Sequence, residues 1–329
     1  MRRHGATALS LAVSGALLVA LYRSIDVRMM GDALLKADRR WLLISVGMIL
    51  PITVLRAIRF FAVAPSGALP GVGEALRLTL VASALNVVVP AKAGDLVKSY
   101  FVAKRSDTSS GVALSIVVYE RLCDLFALMF WCVFGWLVAR PQVPALPAHF
   151  WLLPAAVGAV CGLLISSWRI AAVLPAVIER VRPRGRMRRL TDLADGWPDL
   201  LQLLRGRRRW IVPFSLLLWF THLFQIWLFT VTLSAPIPFV ACASLAALAL
   251  MAGQVPLTIA GLGTRDVALV VLLARYMAPG TAAAMGILVA SRNLIPPLIG
   301  MPMMRPYLSS VVGEARRWRQ GVEMASDHA

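Results

Sequence analysis

Lys92, Asp95, Lys98, Glu120, Arg121, Asp124, Arg265, Asp266 and Arg292 draw attention first, because each stands within or beside a long apolar stretch. An ionised side chain at the centre of a bilayer costs about 2.5–3.5 kcal/mol on insertion scales, so a group of them calls for a reason. Spacing organises the group. Glu120 and Asp124 are four apart and share a helical face, Arg121 and Asp124 are three apart and can pair, and Asp95 and Lys98 can pair likewise. Asp266 opens a helical stretch, where the positive end of the helix favours a carboxylate. Two chemistries fit. Salt bridges between these groups would fasten helices together. Surplus positive charge would instead receive an anion. The nine comprise five cations and four anions, and Arg56 and Arg59, three apart near the end of another apolar stretch, raise the excess to three. A phosphate headgroup is the obvious anion in a membrane and suits arginine's paired N–H donors. Gly94, Gly261 and Gly263 would let backbone N–H groups approach such a phosphate. Arg56 and Arg59 could equally snorkel to an interface.

The elements that must hold these residues are membrane helices. The 329 residues are 59% hydrophobic and 15% charged, with a mean hydropathy of +0.75, whereas soluble domains run about 45–50% apolar and about 25% charged. The apolar residues gather in stretches near the ~20 residues that a bilayer core requires. Ordinary soluble enzyme classes are thereby excluded. The expected fold is all-α and polytopic, a single integral membrane domain with six full spans at about 6–22, 41–62, 111–139, 150–167, 210–234 and 281–303. The first of these resembles a signal peptide but has no clear cleavage site, and is read as an uncleaved helix. Two further regions, about 75–103 and 237–278, are apolar but broken, at Pro90–Asp95 and Pro256–Asp266. The arms flanking the first break are too short to cross a ~30 Å core, so these regions read as broken or re-entrant hairpins.

Basic residues orient the chain. The formal net charge is +18. In a membrane protein this reflects cytoplasmic loops and anionic lipid rather than nucleic acid, for which no binding module is present. The arginine-rich loop 168–209 reads as cytoplasmic, and both termini, with a short tail at 304–329, follow by parity. The link 23–40 disagrees, since it falls outside yet carries five basic residues. Within the arginine-rich loop, 170–181 is apolar enough for a helix lying at the interface.

The two breaks echo one another. Val89-Pro90 with Ala93-Gly94 and Asp95 is matched by Val255-Pro256 with Ala260-Gly261 and Asp266. Each is followed by a span carrying a buried arginine, Arg121 or Arg292, and the two are approached from opposite sides. That is the pattern of an inverted repeat with halves at about 1–139 and 150–303, whose broken helices commonly meet near the midplane to form a substrate site.

On these residues the sequence resembles the flippase-like membrane family related to the transmembrane region of lysylphosphatidylglycerol synthase. The resemblance spans nearly the whole chain. It rests on R-x-x-R at Arg56 and Arg59, N-x-x-x-P-x-x-x-G-[ED] at Asn86, Pro90, Gly94 and Asp95, and E-R-x-x-D at Glu120, Arg121 and Asp124. It continues in G-x-G-x-R-[ED] at Gly261, Gly263, Arg265 and Asp266, and R-x-x-x-P-x-x-x-G at Arg292, Pro296 and Gly300. The family pattern usually has Glu where this chain has Asp95 and Asp266, which keeps the charge and shortens its reach. The resemblance implies a multi-pass protein of a bacterial-type inner (plasma) membrane that moves or handles a phospholipid, a hopanoid-type lipid or a polyprenyl-linked lipid.

The expected function is therefore lipid flipping or export. Arg121 and Arg292 would hold the phosphate, helped by Lys92, Arg265, Arg56 and Arg59, with Asp95, Glu120, Asp124 and Asp266 orienting them. Lysyl transfer belongs to a separate soluble domain in the synthases, for which this chain has no room, so the chain is not expected to be an enzyme. The partners expected are a membrane lipid, anionic or isoprenoid, and a separate lipid-synthesising enzyme. No cofactor or metal is expected. Cys123, Cys132, Cys161 and Cys242 lie in apolar stretches as packing residues, and His222 reads as a lone packing histidine. Two alternatives stay open: a membrane-embedded transferase with Glu120 or Asp124 as general base, and a non-catalytic scaffold.

Overall fold

The computed structural model describes residues 27–88, 94–106, 108–143, 147, 149–167, 188–254, 263–307 and 309. Twelve α-helices and no strands occur among them. In order they are α1 (Val27–Leu35), α2 (Arg39–Gly47), α3 (Ile49–Val63), α4 (Val72–Val88), α5 (Leu96–Arg105) and α6 (Ser110–Val138). There follow α7 (His149–Ser166), α8 (Arg188–Leu203), α9 (Arg208–Thr232), α10 (Phe239–Ala252), α11 (Thr264–Leu273) and α12 (Pro279–Gly300). Stretches long and apolar enough to cross a membrane are Arg39–Val63, Ser110–Val138, His149–Ser166, Arg208–Thr232 and Pro279–Tyr307. These correspond to five of the six expected spans; the sixth, at 6–22, lies outside the described residues, as do 170–181 and, within the two broken regions, 89–93 and 255–262. The chain is a multi-pass helical membrane protein. Large apolar side chains on the long helices point outward, with Leu137, Leu152, Leu153, Leu217 and Leu298 all more than half exposed. Such a belt suits hydrocarbon and would be a liability in water.

The 41–62 span is not one straight helix. It divides at Met48 into α2 and α3, because Pro51 lacks an N–H and its ring crowds the carbonyl of Gly47, four residues back.

Part of the arginine-rich loop is ordered against the bundle. Along α8 the apolar residues recur at helical spacing, so Trp197, Leu200 and Leu201 are buried, with Leu204 just beyond its end, while Asp195 and Asp199 face outward. The buried face seats on the start of α6, where the Ser115 hydroxyl donates to the Leu193 carbonyl at 3.3 Å and the Tyr119 and Trp197 rings lie 6.0 Å apart. The contact is backbone against backbone. A Cβ on Gly196 would collide with the main chain of Gly111 and Val112, and one on Gly111 with the carbonyl of Asp192. Gly196→Ala is therefore expected to lift α8 from α6 and to lower stability by about 1–3 kcal/mol. The reduced melting temperature and increased quenching of tryptophan fluorescence would report it.

The two ends of the bundle differ in composition. At one end Arg207 donates to the carbonyl of Ala64 at 3.2 Å and the hydroxyl of Ser66 at 2.8 Å. Nearby, Glu74 receives Arg105 at 2.7 Å and the Tyr307 hydroxyl at 2.9 Å. The opposite end is marked by Asp38, which caps α2 and whose N–H donates to the Thr232 carbonyl at 3.0 Å. Arg39 and Arg40 thus sit a full length of α9 away from Arg205–Arg209, as the anomalous position of the 23–40 link requires.

Each half lends a helix to the other. From the first half, α4 packs on α12, where Gly300 meets the Leu80 carbonyl so closely that no Cβ would fit. From the second, α10 packs on α6, where a Cβ on Gly135 would lie 2.7 Å from that of Ser244 and the Ser244 hydroxyl donates to the Cys132 carbonyl at 2.8 Å. Two apolar cores result, one mostly from α3, α4, α5, α8 and the first half of α6, the other from α9 to α12 and the second half of α6. Glu120, Arg121 and Asp124 stand at their junction, with Asp124 fifteenth of the 29 residues of α6.

Candidate functional site

Six charged side chains close a ring at that junction. Arg59 on α3 lies 2.6 Å from Asp124 and 3.8 Å from Glu120. Lys98 on α5 lies 3.2 Å from Glu120 and 3.9 Å from Asp95. Arg121 lies 2.5 Å from Asp95 and 3.6 Å from Asp124. Every cation thus touches two carboxylates and every carboxylate two cations, so the ring is electrically neutral. Alternation of this kind offsets desolvation, which an isolated buried pair does poorly.

Neighbouring helices complete it. The Trp219 indole N–H on α9 donates to Asp124 at 3.1 Å, Ser215 lies 3.4 Å from Arg59, and the Asn86 amide donates to Asp95 at 3.4 Å. Lys98 also sits 4.8 Å above the Phe60 ring, a cation–π contact. The ring has a closed side and an open side. Arg59, Lys98, Asp95 and Glu120 are only 3–4% exposed, whereas Asp124 is 18% and Arg121 35% exposed.

The second half is arranged differently. Arg265 pairs with its neighbour Asp266 at 2.6 Å and reaches the Gly286 carbonyl at 3.4 Å. Asp266 accepts from the Gly263 N–H at 3.2 Å. Asp266 precedes Arg292 by 26 positions, and Asp95 precedes Arg121 by the same 26. The Asp95–Arg121 pair is made and the Asp266–Arg292 pair is not: Arg292 instead hydrogen-bonds His222 Nδ1 on α9. His222 lies 5.1 Å from the Trp219 ring, and Trp219 holds Asp124, so Arg292 is joined to the open side of the ring by a line of contacts.

Arg56, one turn before Arg59, is, with Arg292, a candidate cation without a carboxylate partner among the described residues. It makes no ion pair among the described residues and lies within electrostatic reach of Arg121, Arg59, Asp95 and Asp124. Arg292 is within reach of Arg56 and Arg265. Arg56, His222 and Arg292 are each half-buried.

The sequence-derived candidates therefore separate. Arg59, Arg121, Asp95, Glu120 and Asp124 come together with Lys98 in the ring; Arg265 and Asp266 neutralise each other; Arg56 and Arg292 keep their charge. Gly94 is closely packed: a Cβ there would lie 2.5 Å from the Ala82 carbonyl oxygen and 2.7 Å from the Asn86 nitrogen. Gly263 has φ +97°, which favours glycine, and its N–H is occupied by Asp266. Lys92, Pro90, Pro256 and Gly261 lie outside the described residues. Sequence reasoning missed Ser215 and Trp219, and it read His222 as packing, although the three recur at helical spacing on one face of an apolar span.

Across residues 7–300 the chain matches the family described as the lysylphosphatidylglycerol synthase TM region. It is also 24% identical to a UPF0104 membrane protein of Methanothermobacter thermautotrophicus over 341 aligned positions, covering 95% of this chain and 98% of that protein.

Proposed function

Because the chain belongs to the family of the lysylphosphatidylglycerol synthase TM region, we propose that it is a flippase or export factor for a phosphate-bearing membrane lipid, held between Arg56 and Arg292. One observation carries this reading: the ring and the Arg265–Asp266 pair satisfy their own charges, and two half-buried arginines beside the ring's open side are left without a carboxylate. Arginine presents paired N–H donors suited to phosphate oxygens. The neutral ring supplies a rigid wall. Arg121 on its exposed edge remains near enough to assist, while Arg59 is fully engaged.

The acyl chains would stay in the bilayer while the headgroup passes the polar junction, with the two halves moving as an inverted repeat. The membrane would be the inner (plasma) membrane, the arginine-rich end cytoplasmic, and the lipid would be delivered by a separate synthesising enzyme. Glu120 or Asp124 as the general base of a transferase fits poorly, since each carboxylate is already held between two cations.

Mass spectrometry of lipids retained by gently purified protein tests the reading. Wild type should be enriched in one phosphate-bearing lipid, and the Arg56→Ala/Arg292→Ala variant should carry only bulk membrane lipid. Bulk composition in both proteins would overturn the proposal and favour a scaffold.

A further inference from the structure

His222 occupies an unusual place beside these arginines. Arginine remains protonated in proteins, so Arg292 must donate and His222 Nδ1 must accept. In this arrangement His222 is therefore neutral, its remaining proton on Nε2. Among the described residues the charged groups around it are Arg292 on α12, Arg56 and Arg59 on α3, and Asp124 on α6. Asp124 is already shared by Arg59 and Arg121 and held by Trp219. A proton added to His222 would meet two uncompensated guanidinium groups and would cost the Arg292 hydrogen bond.

A phosphate between Arg56 and Arg292 reverses both conditions. It brings negative charge next to the imidazole, and it draws the Arg292 guanidinium away from Nδ1, leaving a free lone pair. We propose that His222 takes up one proton from solvent when the lipid phosphate binds, so that anion and proton occupy the site together. The inference rests on the phosphate reading above and adds the coupling. For a phosphodiester, one negative charge and one positive charge enter as a neutral pair. The membrane potential then does not act on the crossing, and a pH difference across the membrane biases it toward the more alkaline side. Histidine is suited to the role because its ordinary pKa lies near physiological pH.

Linkage fixes the sign. If binding takes up a proton, acidification must strengthen binding, by up to about tenfold per pH unit while one proton is exchanged. The test uses the purified full-length protein and short-chain phosphatidylglycerol, whose phosphodiester keeps its charge between about pH 5.5 and 8. Calorimetric titration in two buffers of different ionisation enthalpy counts the protons taken up. Wild type should take up close to one proton per lipid, and its Kd should fall with pH. His222→Gln keeps an amide oxygen to accept from Arg292 but cannot hold the proton. It should bind phosphatidylglycerol with no uptake and a Kd independent of pH, and His222→Asn serves if the first variant melts early.

Binding by wild type without proton uptake, or equal uptake by the glutamine variant, would overturn the role of His222 and leave the phosphate site standing. Failure of wild type to bind phosphatidylglycerol at any pH in this range would overturn the phosphate site, and this inference with it.

Discussion

Arg59→Ala should lower the stability of the folded protein by about 3–5 kcal/mol, the usual cost of leaving a buried charge without its partner, whereas Arg56→Ala, three residues earlier on the same helix, should leave it nearly unchanged. Arg59 is 3% exposed and contacts both Glu120 and Asp124, so its removal opens the ring at its closed side. Arg56 touches neither carboxylate and faces a half-open site. Its loss removes charge from a region where positive charge is in excess. Thermal unfolding in detergent, followed by circular dichroism, compares the two variants directly. Equal melting temperatures for both would mean that the ring contributes little to the fold. A large loss for Arg56→Ala would make that residue structural.

The complementary expectation concerns transport. Arg56→Ala/Arg292→Ala should slow lipid translocation in reconstituted vesicles at least a hundredfold while melting close to wild type. A hydrogen bond to a charged group contributes about 1.5–3 kcal/mol, so two lost contacts correspond to roughly a hundredfold or more. The Arg56→Lys/Arg292→Lys variant should fall between, because lysine keeps the charge but lacks the paired donors that grip a phosphate. A fluorescent phosphatidylglycerol analogue, with dithionite quenching to count its leaflet exposure, measures the rates. Undiminished translocation by the alanine variant would remove these arginines from the path.

Much of this arrangement was legible in the residues. The charged motifs drew attention because charge is costly in a bilayer, and helical spacing anticipated the Arg121–Asp124 and Asp95–Lys98 contacts. Spacing could not show that Arg59 and Glu120 complete a closed cycle, since that depends on how α3, α5 and α6 meet. Nor could a count of surplus cations say which ones stay unpaired; Arg121 and Arg59 looked no different from Arg56 and Arg292. A single histidine such as His222 carries no pattern in the sequence, and its meaning comes from Arg292, 70 residues later. The tight seat of Gly94 against Ala82 and Asn86 depends on how the helices meet, which spacing along the chain does not show. The amphipathic stretch of α8 was hidden by the density of arginine around it.

The exchange of helices between the halves also sets a timetable. Residues of the ring, from Arg59 to Asp124, emerge from the ribosome early, but the surface of α4 that receives Gly300 waits for α12, about 200 residues later. At 5–20 residues per second that interval is roughly 10–40 s. During it the young protein holds its charged centre with one wall missing, in a membrane where a stray helix or an insertion chaperone could fill the gap. Arg292 arrives with the helix that closes that wall, so the proposed phosphate site, which needs both arginines, cannot form before α12 has been made.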